Sequence, residues 1–345
     1  MARVHTAAAR AAGADLRAVA SSTEGSGRTA AVELGIARAE ADAARLLAAS
    51  DIDLVHICTP NATHATLAAD ALRAGRHVIC EKPLAVDVTD ARTLVDLAAE
   101  RELVAAVPFV YRYHPMAREA RARIGRGDLG SVLTAQCGYL QDWLLLPGDA
   151  DWRTGADGGP SRAFADIGSH LCDLLEFITG DRIARLVART RTVYERRGGR
   201  VVENEDIAAV LAETEGGAFV TMLVSQLAAG RKNALTIEVH GAEGALRFAQ
   251  ERPEELWLGR RDGSSLLLRD PATDARDAAR LQTVPAGHPM GYSDAFHGFV
   301  SDVHAAIRGE QPDGLPTFAD GLRAVVLTEA VLASAARREW VEVAA

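Results

Sequence analysis

The chain has 345 residues, 47 of them acidic and 38 basic, for a formal net charge of −9. That length exceeds an ordinary single domain, so two domains are expected, and the negative balance disfavours nucleic acid, whose phosphates require a basic face. The apolar runs are too short to span a bilayer and no charged-then-apolar leader opens the chain, which points to a soluble cytoplasmic protein with no membrane partner. Cys58, Cys80, Cys137 and Cys172 show no CxxC or CxxH spacing, so they read as buried thiols, not disulfides or zinc ligands.

From residue 15 to about 108 short apolar strands alternate with alanine-rich helices. ADLRAVASS (14–22) reads as a strand, and GRTAAVELG (27–35) as a helix closed by Gly35. DIDLVHICTP is a strand bounded by Pro60, and THATLAADALRAG a helix stopped at Gly75. The strand HVICE follows, then the helix DVTDARTLVDLAAERE with Thr89 or Asp90 as its cap, then the strand LVAAVPF. This alternation implies right-handed crossovers and a doubly wound parallel sheet, in which ligands bind beyond the carboxyl ends of the strands. CTPN (58–61) and CEKP (80–83) both lie at such ends.

Beyond residue 109 the pattern changes. VENEDIAAVLAETEGGAFVTMLVSQ reads as two strands about a TEGG turn, NALTIEVHGAEGALRFA as a second hairpin, and ELWLGRRDGSSLLLRD as a third turning at Arg-Asp-Gly. Helices are expected at HPMAREARARIG, IGSHLCDLLEFITG and DAFHGFVSDVHAAIRG. The fold class is therefore α/β: a Rossmann-like domain over 1–108, then an α+β domain over 109–345 with a large, mostly antiparallel sheet. A long apolar helix over 317–337 is expected to pack back on the first domain.

RAFADIGSHLCDLLEFITG (162–180) predicts one helix with two faces. Leu171, Leu174, Leu175 and Ile178 form its apolar stripe, while Asp166, His170 and Asp173, at i, i+4 and i+7, share the other side. On spacing alone three readings stay open: a solvated polar face, a catalytic acid and base, or a metal site, for which no fourth ligand is obvious. Gly158, Gly159 and Gly168 permit close backbone approach here, and Tyr139, Trp143 and Trp152 concentrate aromatic rings of the kind that line sugar pockets.

A Rossmann half opens with a strand and GxGxxG, and no such fingerprint opens this chain. MARVHTAAARAAG instead reads as the helix that follows the fingerprint, with Met1 at its fifth position. The expectation is a start placed at an internal methionine, leaving the first, central strand out from between the strands at 15–22 and 52–58. Loss of that strand would rival the ~5–15 kcal/mol stability of a domain and weaken dinucleotide binding. In-frame codons upstream for an apolar strand ending in Gly-x-Gly are the corresponding observation.

CTPNATH, EKPLA and GG…ADIGSHLCDL, with the hairpin-rich second half, resemble the Gfo/Idh/MocA oxidoreductases over nearly the whole chain. QDWLL, SQLAAGRKN and HPMGYSDAF are similar to a sugar-dehydrogenase branch of that family. The resemblance implies that Lys82 contacts the reacting hydroxyl, His170 is the general base and Asp166 orients substrate and base. It implies that Thr59, Pro60, Asn61, His64 and Glu81 lie along the nicotinamide of NAD or NADP, and that no metal takes part. Ser21 and Ser22, at the end of the second strand, would meet the adenosine ribose; small hydroxyls with Arg28 nearby are compatible with a 2′-phosphate, so NAD and NADP both stay open. Histidine suits removal of the hydroxyl proton because its pKa starts near neutrality, an ammonium stabilises developing alkoxide, and Pro83 fixes φ beside Lys82.

The bland readings are a surface lysine at Lys82 and a locally bonded helix-start histidine at His64. Tyr111 and Arg112 either line the substrate pocket, with Trp152, or brace the domain junction. The resulting expectation is a dehydrogenase acting on a secondary hydroxyl of a sugar, glycoside or cyclitol, assembled as a homodimer or homotetramer, with Lys82 and His170 converging on one cleft. The alternatives are a glycosidase or lyase that oxidises transiently, and a non-catalytic sugar- or nucleotide-binding protein.

Overall fold

Short apolar runs capped by polar residues build the first half, as a computed structural model describing residues 1–155 and 158–344 shows. The chain divides into two units, Met1–Ala85 with Thr89–Pro108 and Ser293–Leu322, and Val86–Val88 with Phe109–Tyr292 and Arg323–Ala345. In chain order the first half runs α1 (Ala2–Ala11), β1 (Ala18–Val19), α2 (Glu24–Leu34), β2 (Arg38–Ala39), α3 (Ala43–Ala48), β3 (Leu54–Ile57), α4 (His64–Arg73), β4 (His77–Cys80), α5 (Val88–Glu100) and β5 (Ala105–Ala106). Pairing is parallel throughout: β1 with β2, β3 with β4, and β4 with β5.

Local chemistry accounts for these boundaries. Thr23 caps α2 by accepting the Ser26 N–H, while the Ser26 hydroxyl oxygen accepts the Thr23 N–H. Gly35, at φ 63°, ends that helix in the left-handed conformation. Val78, Ile79 and Cys80 of β4 are fully buried, as a strand covered on both faces requires.

The parallel sheet is shorter than the sequence predicts and lies in two pieces, β1-β2 and β3-β4-β5. The strand expected over 14–22 is reduced to Ala18–Val19, which pairs on one edge alone. Among the described residues β1 and β3 share no ladder.

The second half contains α6 (Pro115–Gly125), β6 (Val132–Leu140), a π-helical segment Phe164–Gly168, α7 (Ser169–Thr179), β7 (Ile183–Arg191), the small pair β8 (Arg196–Arg197) and β9 (Arg200–Val201), β10 (Ile207–Thr214), β11 (Phe219–Ser225), β12 (Ala234–Gly241), β13 (Ala245–Ala249), β14 (Glu255–Arg260), β15 (Gly263–Leu268), α8 (Arg276–Ala279), α9 (Tyr292–Ile307), α10 (Phe318–Arg337) and β16 (Val341–Glu342). Nine strands form one sheet in the order β15-β14-β13-β12-β6-β11-β10-β7-β16. Every pairing in it is antiparallel except β6 with β11.

The three expected hairpins are β10–β11, β12–β13 and β14–β15. One sheet face builds the core: Cys137 and Tyr139, Val220 and Met222, and Ile237 and Val239 face inward from adjacent strands. Leu171, Leu174, Leu175 and Ile178 of α7 join the same core, all at most 1% exposed.

The single helix predicted over 162–180 is corrected. Phe164–Gly168 is a π-turn, and the α-helix begins only at Ser169. Wide π-turns of this kind concentrate at functional sites. The Phe164 ring lies against Gly168 so closely that a Cβ there would sit 2.6 Å from Cδ2 of the ring. Of the three polar residues, Asp173 is held by Arg112, as described below.

Leu174→Ala, at a site with no exposure, is expected to cost about 2–5 kcal/mol of stability. Urea unfolding monitored on the second unit checks this, and an unchanged midpoint would contradict the core assignment.

Candidate active site

In the first unit the carboxyl ends of β3 and β4 lie side by side, with Ile57 in register with Cys80. Thr59, Pro60 and Asn61 extend the first strand end, and Glu81, Lys82 and Pro83 the second. Buried His64 joins the two loops: Nδ1 lies 2.7 Å from the Pro83 carbonyl oxygen and Nε2 2.9 Å from that of Thr59. Both partners only accept, so a neutral ring satisfies one of them and a doubly protonated ring both. The Lys82–Pro83 peptide is cis.

Glu81 is itself anchored from below. His5 on α1 places Nε2 2.9 Å from Oε1 of Glu81, and Oε2 accepts the Lys82 backbone N–H at 3.1 Å. The other nitrogen of His5, Nδ1, is 3.0 Å from Nδ1 of His56 on β3. Burial, then the neighbouring His5 and His304, push the His56 imidazole down to about 3, so it is neutral at physiological pH. His5 was not among the residues singled out from sequence, although its place in MARVH was the available signal.

Ser21 and Ser22 follow β1. The Ser21 hydroxyl accepts from Ser26 at 3.0 Å, which ties it to the first turn of α2. Thr59, Pro60 and Ser22 are exposed and Lys82 is partly so, leaving polar groups accessible at the ends of parallel strands. That donor and acceptor set fits a dinucleotide.

In the second unit the structure brings His170, Tyr111 and Asp166 into one neighbourhood. The His170 imidazole is edge-on to two rings, with centroids 5.0 Å from Tyr111 and 5.5 Å from Phe109. Tyr111 is fixed by a closed ring of hydrogen bonds. The Tyr111 and Tyr139 hydroxyls are 2.6 Å apart, Tyr139 donates to Oδ1 of Asn233 at 2.7 Å, and Nδ2 of Asn233 donates back to Tyr111 at 3.1 Å. Burial first, then Tyr111, push the Tyr139 phenol well above its ordinary range, so it stays a donor. Nε2 of Gln141 also donates to Asn233, and the Trp143 indole N–H donates to Gln141, both at 2.8 Å.

Asp166 Oδ2 accepts from Nε2 of buried Gln226 at 2.9 Å, and Nε of Arg153 is 3.9 Å from Oδ1. Trp152, on a short 3₁₀ turn, lies under the Arg153 guanidinium at 4.4 Å. Close approach at Gly158 is real: a Cβ there would meet the Arg153 carbonyl oxygen at 2.1 Å. Arg112 grips Asp173 with two hydrogen bonds, 2.9 and 2.5 Å, and stacks over Phe177. Asn233, Gln141 and Gln226 were not assigned roles from sequence, although QDWLL and SQLAAGRKN contain all three.

Residues 1–109 match the model of an oxidoreductase family with an NAD-binding Rossmann fold, and residues 117–247 match the GFO/IDH/MocA C-terminal domain. The chain is similar to levoglucosan dehydrogenase of Pseudarthrobacter phenanthrenivorans, at 30% identity over 91% of this chain and 86% of that protein. Among solved structures, an oxidoreductase domain protein from Kribbella flavida aligns with TM-score 0.92 and 34% identity, over 100% of this chain and 96% of that one. A levoglucosan dehydrogenase in complex with NADH and levoglucosan aligns with TM-score 0.93 and 28% identity, over 100% and 97% of the two chains. An NAD-binding Rossmann half followed by a C-terminal domain of this kind defines a nicotinamide-dependent oxidoreductase. The chain belongs to the Gfo/Idh/MocA family, a family of sugar and cyclitol dehydrogenases. Among the described residues no helix is long and apolar enough to cross a membrane.

The depressed pKa of His56 predicts a pH dependence of stability. Its ordinary value is 6.5 and its folded value about 3, so below pH 6.5 the unfolded chain takes up a proton that the folded chain refuses. The contribution is fully present above pH 6.5 and is lost as pH falls toward 3. His56→Gln should flatten the acid side of the stability profile, measured by urea midpoints at several pH values between neutrality and about 4. An unchanged slope would contradict a neutral imidazole at His56.

Proposed function

We propose that this protein oxidises a secondary hydroxyl of a sugar, glycoside or cyclitol, with NAD or NADP as hydride acceptor. The observation that carries this reading is the acid and imidazole, Asp166 and His170, at the π-to-α junction of a helix in a chain of this family. His170, held by the edges of Tyr111 and Phe109, takes the hydroxyl proton as the C–H bond breaks. The Lys82 ammonium stabilises the developing alkoxide, and Asp166, acceptor to Gln226, orients substrate and base. The bound dinucleotide supplies the hydride acceptor. Thr59, Pro60, Asn61, His64 and Glu81 position its nicotinamide, and Ser21 and Ser22 its ribose. Tyr111 and Trp152 hold the sugar. Arg112, committed to Asp173, braces that wall instead of binding substrate.

The test is a panel of sugars, anhydrosugars and polyols followed at the absorbance of reduced nicotinamide. Lys82→Ala and His170→Ala should each lower kcat by about 100-fold or more while leaving melting temperature nearly unchanged. An active His170→Ala would remove the base assignment. Turnover of a glycoside without accumulation of reduced cofactor would favour a glycosidase or lyase that oxidises transiently.

The open face of the nine-stranded sheet supports a homodimer or homotetramer. Leu211, Phe219 and Leu223 on adjacent strands are each more than 40% exposed, an apolar patch of the kind that marks an interface. Leu223→Lys should shift the species seen by light scattering to monomer, and a monomeric parent protein would contradict the proposal.

A further inference from the structure

Beneath the Asp166 turn lies a group of ionised side chains that the reaction does not touch. Arg162, Arg197 and Asp206 have side chains with no exposure at all, and Glu205 is 4% exposed. Asp206 pairs with both guanidinium groups. Burial alone would raise its carboxyl, but hydrogen bonds from Arg162, the Val193 N–H and Arg197 outweigh burial and hold it below its ordinary value. Glu205 accepts from the Ser161 hydroxyl at 2.7 Å, from the Phe164 N–H at 2.8 Å and from the Arg162 N–H at 3.1 Å, which pins the start of the π-turn.

Arg162 distributes its donors to Asn204, Asp206 and Gln226. Nε reaches Oδ1 of Asn204 at 3.0 Å and Nη1 reaches Oε1 of Gln226 at 2.9 Å. A guanidinium has no acceptor, so only the oxygen of the Gln226 amide can face it. Gln226 is fully buried, and its backbone N–H is held by the Asp206 carbonyl at 3.2 Å. Its amide nitrogen must therefore face the other way, toward Asp166. The opposite flip would set N–H against N–H at one end and oxygen against oxygen at the other.

We infer that Arg162 and Gln226 form a polarity relay that holds Oδ2 of Asp166 as a hydrogen-bond acceptor and so fixes the orientation of its carboxylate. They are positioning residues, because neither needs to touch substrate. The inference rests on the proposed role of Asp166.

Gln226→Glu is the discriminating variant. It keeps an acceptor for Arg162 at the same size but sets oxygen against Oδ2 of Asp166 in place of N–H. The expected result is a kcat lowered about 10- to 100-fold, the loss of one hydrogen bond to a charged group. The dissociation constant for reduced dinucleotide, read by fluorescence, should stay within twofold, and the melting temperature within a few degrees. Asp166→Asn in the Gln226→Glu background presents an amide to the new carboxylate, so the double variant should be no slower than Asp166→Asn alone.

Wild-type kcat in Gln226→Glu, or losses that multiply in the double variant, would overturn the relay while leaving Asp166 in its role. Wild-type kcat in Asp166→Asn would overturn the role of Asp166 and the relay with it. If Gln226→Glu folds poorly, Arg162→Met combined with Gln226→Leu removes the relay while Asp206 keeps Arg197 as partner. That pair should show the same loss of kcat with dinucleotide binding retained, and a wild-type kcat there would overturn the relay.

Discussion

A charge withdrawn from water persists only where it meets an opposite charge or a full set of hydrogen bonds. Arg162, Arg197, Glu205 and Asp206 satisfy this condition together, and the turn that carries Asp166 is built on them. Glu205 gathers backbone N–H groups at the start of that turn, which leaves the following residues free to take the wide π geometry. Asp206 meets two guanidinium groups, so either one alone still leaves it paired, and the orientation of Gln226 and Asp166 follows from the donors that Arg162 presents.

The first unit obeys the same rule with weaker groups. Glu81, 6% exposed after the buried residues Val78, Ile79 and Cys80, takes His5 Nε2 and the Lys82 N–H as partners. His64 likewise lies with its two ring nitrogens within 2.9 Å of backbone carbonyls of two loops. The side chains beside Lys82 are therefore spent on holding the strand ends. In the second unit the hydrogen-bonded ring of Tyr111, Tyr139 and Asn233 does comparable work for the aromatic wall against His170.

The hairpins were legible because period-two alternation and glycine-bearing turns are local signals; Gly217, at φ 85°, ends the TEGG turn where the sequence places it. β6 and β7 escaped notice although both alternate. β6 has no hairpin partner next to it in sequence and pairs in parallel with β11, Tyr139 in register with Val224, 85 residues further on, a long-range contact that no local turn announces. In β7 the outward positions Arg185, Arg189 and Arg191 dilute the apolar content that marks a strand. The helix over 162–180 was read as uniform because i, i+4 spacing cannot distinguish α from π, and only the Phe164–Gly168 packing and the Glu205 contacts do. The grip of Arg112 on Asp173, two hydrogen bonds across 61 residues of chain, is a contact that no local pattern announces.

By itself the sequence determined the parallel and antiparallel halves, the apolar stripe of α7 and the residue types that family chemistry needs, because each is written in short-range periodicity or in a compact motif. The tertiary structure alone decided which way each polar side chain faces. Asp166 turns to Gln226, Asp173 to Arg112 and Glu81 to His5, each across 60 to 76 residues of chain. Such choices are made by burial, which forces every polar atom to find a partner, and the partner can come from anywhere in the fold.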